Sequence, residues 1–123
     1  MILADIAALC TSLNRHQRLF GLDLGGNPAG VVIGDMLPTP EVMQRIAAEV
    51  GFSETAFAAP LDQAASGWRV RYFAPESEVP FCGHATIALG AALAAKKGDG
   101  VYALTLNQAA ITVEGWQIGR AHV

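Results

Sequence analysis

Apolar residues recur along the chain at spacings that predict two helices of different kinds. The first helix would begin after an N-cap at Thr39, with Pro40 at its first position, and end at Gly51. Between them, apolar residues recur at three- and four-residue spacing: Val42, Met43, Ile46, Ala47 and Val50. This spacing predicts a surface helix with one buried face.

The second helix is predicted at Ala85–Ala95, where only Thr86 and Gly90 interrupt an apolar run. A helix that is apolar on every side is expected to be buried on every side. Lys96–Lys97 would lie at its negative end, and Gly98 would end it. The run is about half of the roughly 20 residues that a membrane-spanning helix needs, so no transmembrane segment is predicted.

Short β-branched or alternating runs predict the strands. In Trp68–Phe73, the side chains of Trp68, Val70 and Tyr72 share one face. The polar stretch Ser12–Arg18 is expected to be an extended loop. The other predicted strands are Ile6–Thr11, Gly30–Ile33, Ser53–Ala59, Val101–Leu106 and Ala110–Val113. A fully buried helix among many strands predicts an α+β fold, in which a curled, mostly antiparallel sheet wraps around that helix.

Composition narrows the class of protein further. The chain has 123 residues, of which 52% are hydrophobic, and this suits a single domain with a sizeable core. A net charge of −3 and a pI near 5.5, with the basic residues scattered, argue against a nucleic-acid partner. Cys10 and Cys82 have no metal-ligand spacing, and the N-terminus lacks a basic signal-peptide region. A cytoplasmic protein that binds neither metal nor membrane is therefore expected.

Three motifs occur in a fixed order along the chain. They are G-G-N-P-A-G-V-V at Gly25–Val32, G-F-S-E-T-A-F at Gly51–Phe57, and P-F-C-G-H-A-T at Pro80–Thr86. Together they resemble the N-terminal lobe of the PhzF-like (phenazine-biosynthesis-like) proteins, over roughly Gly25–Trp116. These are isomerases and epimerases with the diaminopimelate epimerase fold. The resemblance fails before the first motif, where Ser12–Leu24 intervenes between the first strand and the turn.

Glu54 is the first candidate for chemistry. A carboxyl group in an apolar pocket, here near Phe52 and Phe57, can act as a general acid or base. A solvated Glu at the start of a strand is the structural alternative. The resemblance implies that Glu54 moves a proton on a cyclic or amino-acid-like substrate.

The start of the second helix is the candidate binding element. Unpaired N–H groups in the first turn of a helix can hold a carboxylate or phosphate. The resemblance implies that Gly83, His84 and Ala85 hold the substrate carboxylate, and that Asn27 and Ser53 line the same pocket. His84 could instead cap the helix without binding a ligand.

Cys82 supports a rival hypothesis. Diaminopimelate epimerases and proline racemases place a catalytic Cys at the matching Cys-Gly position, and pair it with a second Cys from the other lobe. A thiolate is stabilised at a helix N-terminus, so this chemistry is sensible. A small buried thiol is the structural alternative, and G-H-A-T differs from the patterns of those groups.

Ile118–Val123 reads I-G-R-A-H-V, which is also the translation of the start of a common short-read sequencing adapter. We therefore expect residues 1–117 to form a truncated N-terminal lobe, and residues 118–123 to be a non-native tail that makes few contacts. A natural polar tail is the alternative.

The resemblance implies a cofactor-independent isomerase or epimerase that moves a proton at a carbon near a carboxylate. The site would need an Asp or Cys from a missing second lobe of the same chain, so this fragment is expected to be inactive alone. The full-length protein could form a homodimer. A non-catalytic small-molecule binding lobe and a two-cysteine racemase are the alternative functions.

Overall fold

Nine strands and two α-helices make up the part of the chain that the computed structural model describes, residues 3–23, 26–64, 66–116 and 120–122. A 3-10 helix at Ala7–Leu9 is the remaining helical element. In chain order the others are β1 (Leu3–Asp5), β2 (Arg18–Asp23), β3 (Pro28–Ile33), α1 (Pro40–Val50), β4 (Thr55–Pro60), β5 (Trp68–Phe73), β6 (Glu78–Val79), α2 (Gly83–Lys97), β7 (Gly100–Thr105), β8 (Ala110–Trp116) and β9 (Arg120–His122).

The strands form one curled sheet in the order β1-β2-β3-β4-β5-β7-β8-β9, and β6 pairs with β5. Two of the pairings are parallel, β3 with β4 and β5 with β7, and the others are antiparallel. Each parallel pair is joined by a crossover that contains a helix, as parallel strands require. The predicted α+β fold with a mostly antiparallel curled sheet is confirmed.

Helix α2 lies on the inner face of the sheet and is the centre of the core. Its residues from Ala85 to Ala94 are buried except Ile87. Alternate residues of the strands pack against it, among them Val31, Trp68 and Val70. The prediction of a helix buried on every side is therefore confirmed, and its C-terminal Gly98 adopts a positive φ of 102°.

Helix α1 covers the outer face of the same sheet. Its buried residues Met43, Ile46 and Ala47 pack with Phe57 and Phe73 from β4 and β5. The predicted boundaries hold: the side chain of Thr39 accepts a hydrogen bond from the Val42 N–H group, and Gly51 is left-handed at φ 75°. The middle strands are thus buried on both faces.

The N-terminal assignments were wrong. The predicted strand Ile6–Thr11 is a 3-10 turn, and the Asp5 carboxylate accepts a hydrogen bond from the Ala7 N–H group as the chain leaves β1. The segment Ser12–Leu24 was read as an intervening stretch, but residues 18–23 form β2, which pairs antiparallel with β1 and β3. Burial of both faces of β2 removes the polar alternation that would have marked it as a strand.

The C-terminal prediction concerns residues that are only partly described. Residues 120–122 form β9, whose backbone pairs antiparallel with β8. The expectation of few contacts is therefore wrong for this strand. Residues 117–119 and 123 lie outside the described residues.

Neither helix has the length and apolar character that crossing a membrane would take, within the ranges given above.

Candidate functional site

The predicted site residues converge where β3, β4 and α2 all begin. Because β3 and β4 are parallel, with Gly30 beside Thr55, the residues that precede these strands lie at the same edge of the sheet. Asn27 precedes β3, and Ser53 and Glu54 precede β4. Cys82 is the N-cap of α2, which begins at the same edge.

Glu54 and Cys82 form the first contact of the site. The Cys82 thiol donates a hydrogen bond to Glu54 Oε1 at 3.0 Å, and both side chains are half-buried. Burial is the main cause that raises the pKa of Cys82, and the bond to Glu54 raises it further. The His84 and Ala85 N–H groups lower it, but the net shift is upward. Cys82 is therefore a protonated donor at neutral pH, unlike an activated thiolate.

Ser53, Asn27 and His84 form the second contact. The Ser53 hydroxyl donates to Asn27 Oδ1 at 3.2 Å, and the Asn27 side-chain amide is hydrogen-bonded to His84 Nδ1. Since an amide nitrogen can only donate, His84 Nδ1 accepts, and the ring proton of a neutral His84 lies on Nε2. Ser53 and His84 are exposed and Asn27 is half-buried.

The two contacts lie side by side, because Ser53 and Glu54 are neighbours and His84 follows Cys82 by two residues. No hydrogen bond among the described residues links Glu54 directly to His84. The first-turn N–H groups of α2, from Gly83 to Ala85, lie between the two contacts in sequence. The arrangement combines a carboxylate, a thiol, an imidazole and the backbone N–H groups of a first helical turn at one helix end.

A buried polar pair behind the site was not predicted. The Thr86 hydroxyl donates to the carbonyl oxygen of Cys82 at 2.8 Å, and the Tyr72 hydroxyl is 2.6 Å from Thr86 Oγ1. Both side chains are fully buried in the core around α2. The signal was present in the sequence, since Thr86 is a hydrogen-bonding residue inside an otherwise apolar helix.

Charged residues of β5 and β6 form contacts of their own. Arg71 forms a two-bond ion pair with Glu78, with N–O distances of 2.7 and 2.8 Å. The Glu78 carboxylate also accepts a hydrogen bond from the Asn107 side-chain amide, so it is held by two partners. Arg69 donates to the backbone carbonyls of Val70 and Thr105.

In the described ranges, no group of three or more His, Cys, Asp or Glu side chains is arranged to hold a metal ion. The carboxylate, thiol and imidazole of the site are groups that can exchange protons.

Comparisons with known proteins identify the family. The model of the phenazine biosynthesis-like (PhzC-PhzF) family matches residues 22–118. A curated relative, an uncharacterized isomerase of Deinococcus radiodurans, is 52% identical over 69 residues, which are 56% of this chain and 22% of that protein. A phenazine biosynthesis-like domain-containing protein of Rattus norvegicus is 42% identical over 73 residues, 55% of this chain and 25% of that protein.

Solved structures also match most of this chain. A predicted epimerase of Pseudomonas aeruginosa has a TM-score of 0.71 at 26% identity, over 80% of this chain and 38% of that one. A phenazine biosynthesis protein of the PhzF family from Enterococcus faecalis has a TM-score of 0.63 at 33% identity, over 75% and 35% of the two chains. The matched part of this chain thus spans only about a fifth to two fifths of these proteins. Sequence, family model and fold agree: this chain belongs to the phenazine biosynthesis-like (PhzC-PhzF) family.

Proposed function

We propose that this chain supplies one half of the active site of a cofactor-independent isomerase or epimerase, which moves a proton at a carbon next to a carboxylate. The observation that carries the proposal is the convergence of Glu54 and Cys82 with Ser53, Asn27 and His84 at the N-terminus of α2. The isomerase names of curated relatives support the reaction class.

Glu54 is the proposed acid and base. Its carboxylate has one oxygen occupied by the Cys82 thiol, which orients the group, and it keeps further lone pairs for a substrate proton. The proton would leave the substrate carbon for Glu54 and return from it, or from a group on a second lobe, to an adjacent carbon or the opposite face.

The first turn of α2 is the proposed carboxylate site. The N–H groups of Gly83, His84 and Ala85 would hold the substrate carboxylate and stabilise the charge that develops when the neighbouring carbon loses its proton. Asn27, fixed by Ser53, would set the orientation of His84 against the same ligand. The substrate class is therefore a small carboxylic acid, such as an amino acid or a cyclic amino acid.

The test joins this chain to the remainder of the Deinococcus radiodurans relative and compares the chimera with the chain alone. Proton NMR in D₂O would follow loss of the carbon-bound proton signal in a panel of amino acids and cyclic amino acids. Exchange catalysed by the chimera but not by the chain alone is expected. Substrate binding without any exchange would favour the non-catalytic binding lobe instead.

A further inference from the structure

A cavity lies at the end of the molecule opposite the proposed active site. It has a volume of about 580 Å³ and lies where β3 and β4 end and where α2 terminates. Because α2 has 15 residues, its two ends are about 22 Å apart, so one small ligand cannot reach both sites. The volume is within the range of small-molecule sites, about 300–1,000 Å³.

Apolar and charged residues both line this cavity. The half-buried Pro60 contributes apolar surface, while Ile33 and Trp68, each only 2% exposed, lie beneath it as part of the packed core. Arg18, Lys96 and Lys97 contribute positive charge to the walls. These are three of the eight Lys and Arg residues of a chain whose net charge is −3, and they outnumber the two acidic residues of the lining, Asp35 and Asp62.

The positively charged side chains of the cavity are exposed and therefore accessible to a ligand. Lys96 and Lys97 are exposed and form no ion pair with another residue of the described ranges, while Arg18 has only a long 3.9 Å pair with Asp5 in which both side chains are more than half exposed. Such exposed pairs are weak. On the acidic side, the Asp62 carboxylate is occupied by Ser66, which donates to it from both its backbone N–H and its hydroxyl.

We propose that this cavity binds a small organic anion, in which a carboxylate or phosphate group contacts Lys96, Lys97 and Arg18 and a small apolar body packs against Pro60. Arg18 and His16 lie outside residues 22–118 that match the family model. The site is therefore built partly from a segment that the family match does not include.

The test uses the 123-residue chain and phenyl phosphate, with benzoate as the carboxylate probe and benzyl alcohol as the neutral probe of similar shape. Backbone amide NMR would follow Gly34, Gln63 and the Trp68 indole N–H during titration at millimolar concentrations. The anionic probes are expected to shift these signals, and benzyl alcohol is not. The double substitution Lys96→Gln/Lys97→Gln should weaken anion binding at least about tenfold, whereas Arg45→Gln, which removes an exposed cation on α1, should not.

Anion-induced shifts confined to Gly83–Ala85, or equal affinities in the double variant and the Arg45→Gln control, would overturn the proposal. Equal shifts with benzyl alcohol would also overturn it, because they would show that charge plays no part. These outcomes are independent of proton transfer at Glu54, so either proposal can fail without the other.

Discussion

At the scale of single residues, the buried hydroxyl groups of Thr86 and Tyr72 connect the core with the candidate site. Thr86 links the core to the site, because its hydroxyl holds the Cys82 carbonyl and contacts the Tyr72 hydroxyl. Burial raises the pKa of Tyr72, so this hydroxyl stays protonated. The start of α2 is thus held by two side chains that lie in the core.

Thr86→Val should destabilise the chain by about 1–3 kcal/mol, because it leaves the buried Tyr72 hydroxyl without its partner. The double variant Tyr72→Phe/Thr86→Val should be more stable than Thr86→Val alone, since both polar groups are then removed. Urea denaturation of the three proteins measures this. A double variant less stable than Thr86→Val would show that the pair does not act as a hydrogen-bonded unit.

The carboxylate of Glu49 on α1 holds residues 10–12 in place, so the stability of the protein should depend on whether Glu49 is ionised. It accepts hydrogen bonds from the Cys10 thiol at 3.0 Å, the Thr11 hydroxyl at 2.8 Å and the Ser12 N–H group at 3.2 Å. The Cys10 bond is the main cause that lowers the pKa of Glu49 from 4.5 to about 2. A lowered pKa means that folding favours the ionised form.

The stability that Glu49 contributes should therefore be complete above pH 4.5 and lost as the pH falls towards 2. Glu49→Gln should be less stable than the unmodified chain at pH 6, and the difference should vanish near pH 2. Carboxyl carbon NMR checks the cause directly: Cys10→Ala should raise the pKa of Glu49, whereas Cys10→Ser, which keeps a donor, should leave it low. A Glu49 pKa that Cys10→Ala does not change would contradict the account.

At the scale of elements, the sequence predicted the helices and strands that have a clear apolar pattern or recognisable start and end residues. Helix α1 was predicted from its N-cap Thr39, its apolar face and the glycine that ends it. Strand β5 was predicted with the same bounds that the structure shows, Trp68–Phe73. Strand β2 was missed because both of its faces are covered: Leu19 packs under α1, while Leu22 packs against α2. The candidate site residues were proposed from motif resemblance. Their hydrogen-bond partners could not be predicted, because pairs such as Glu54 and Cys82 depend on how β4 and α2 are placed in three dimensions.

The contact between α2 and β8 is the tightest constraint on these elements. A Cβ atom added at Gly115 of β8 would lie 2.2 Å from the backbone oxygen of Gly90 in α2. Gly115→Ala should therefore force the strand and helix apart and cost about 1–3 kcal/mol or more in the free energy of unfolding. Gly100→Ala is the matched control, since its Cβ would meet nothing within 4 Å. A Gly115→Ala variant as stable as the control would show that the helix does not pack this closely on β8.

At the scale of the whole molecule, the two ends of α2 have different chemistry. The N-terminal end carries the carboxylate, thiol and imidazole of the proposed active site, and the C-terminal end carries the cationic cavity. The exposed Phe81, 46% accessible, lies directly before the site. The chain spans only about a fifth to two fifths of the length of the relatives that it matches.

The measurement that tests the central claim most directly compares two variants of the chimera in solvent deuterium exchange at the substrate carbon. Glu54→Gln should lower the exchange rate by about 10²–10⁴-fold, because it removes the acid–base group, while substrate affinity stays within about tenfold. Cys82→Ser should have a mild effect, because a serine hydroxyl can still donate to Glu54. An inactive Cys82→Ser chimera together with an active Glu54→Gln chimera would contradict the account and would establish a two-cysteine racemase instead.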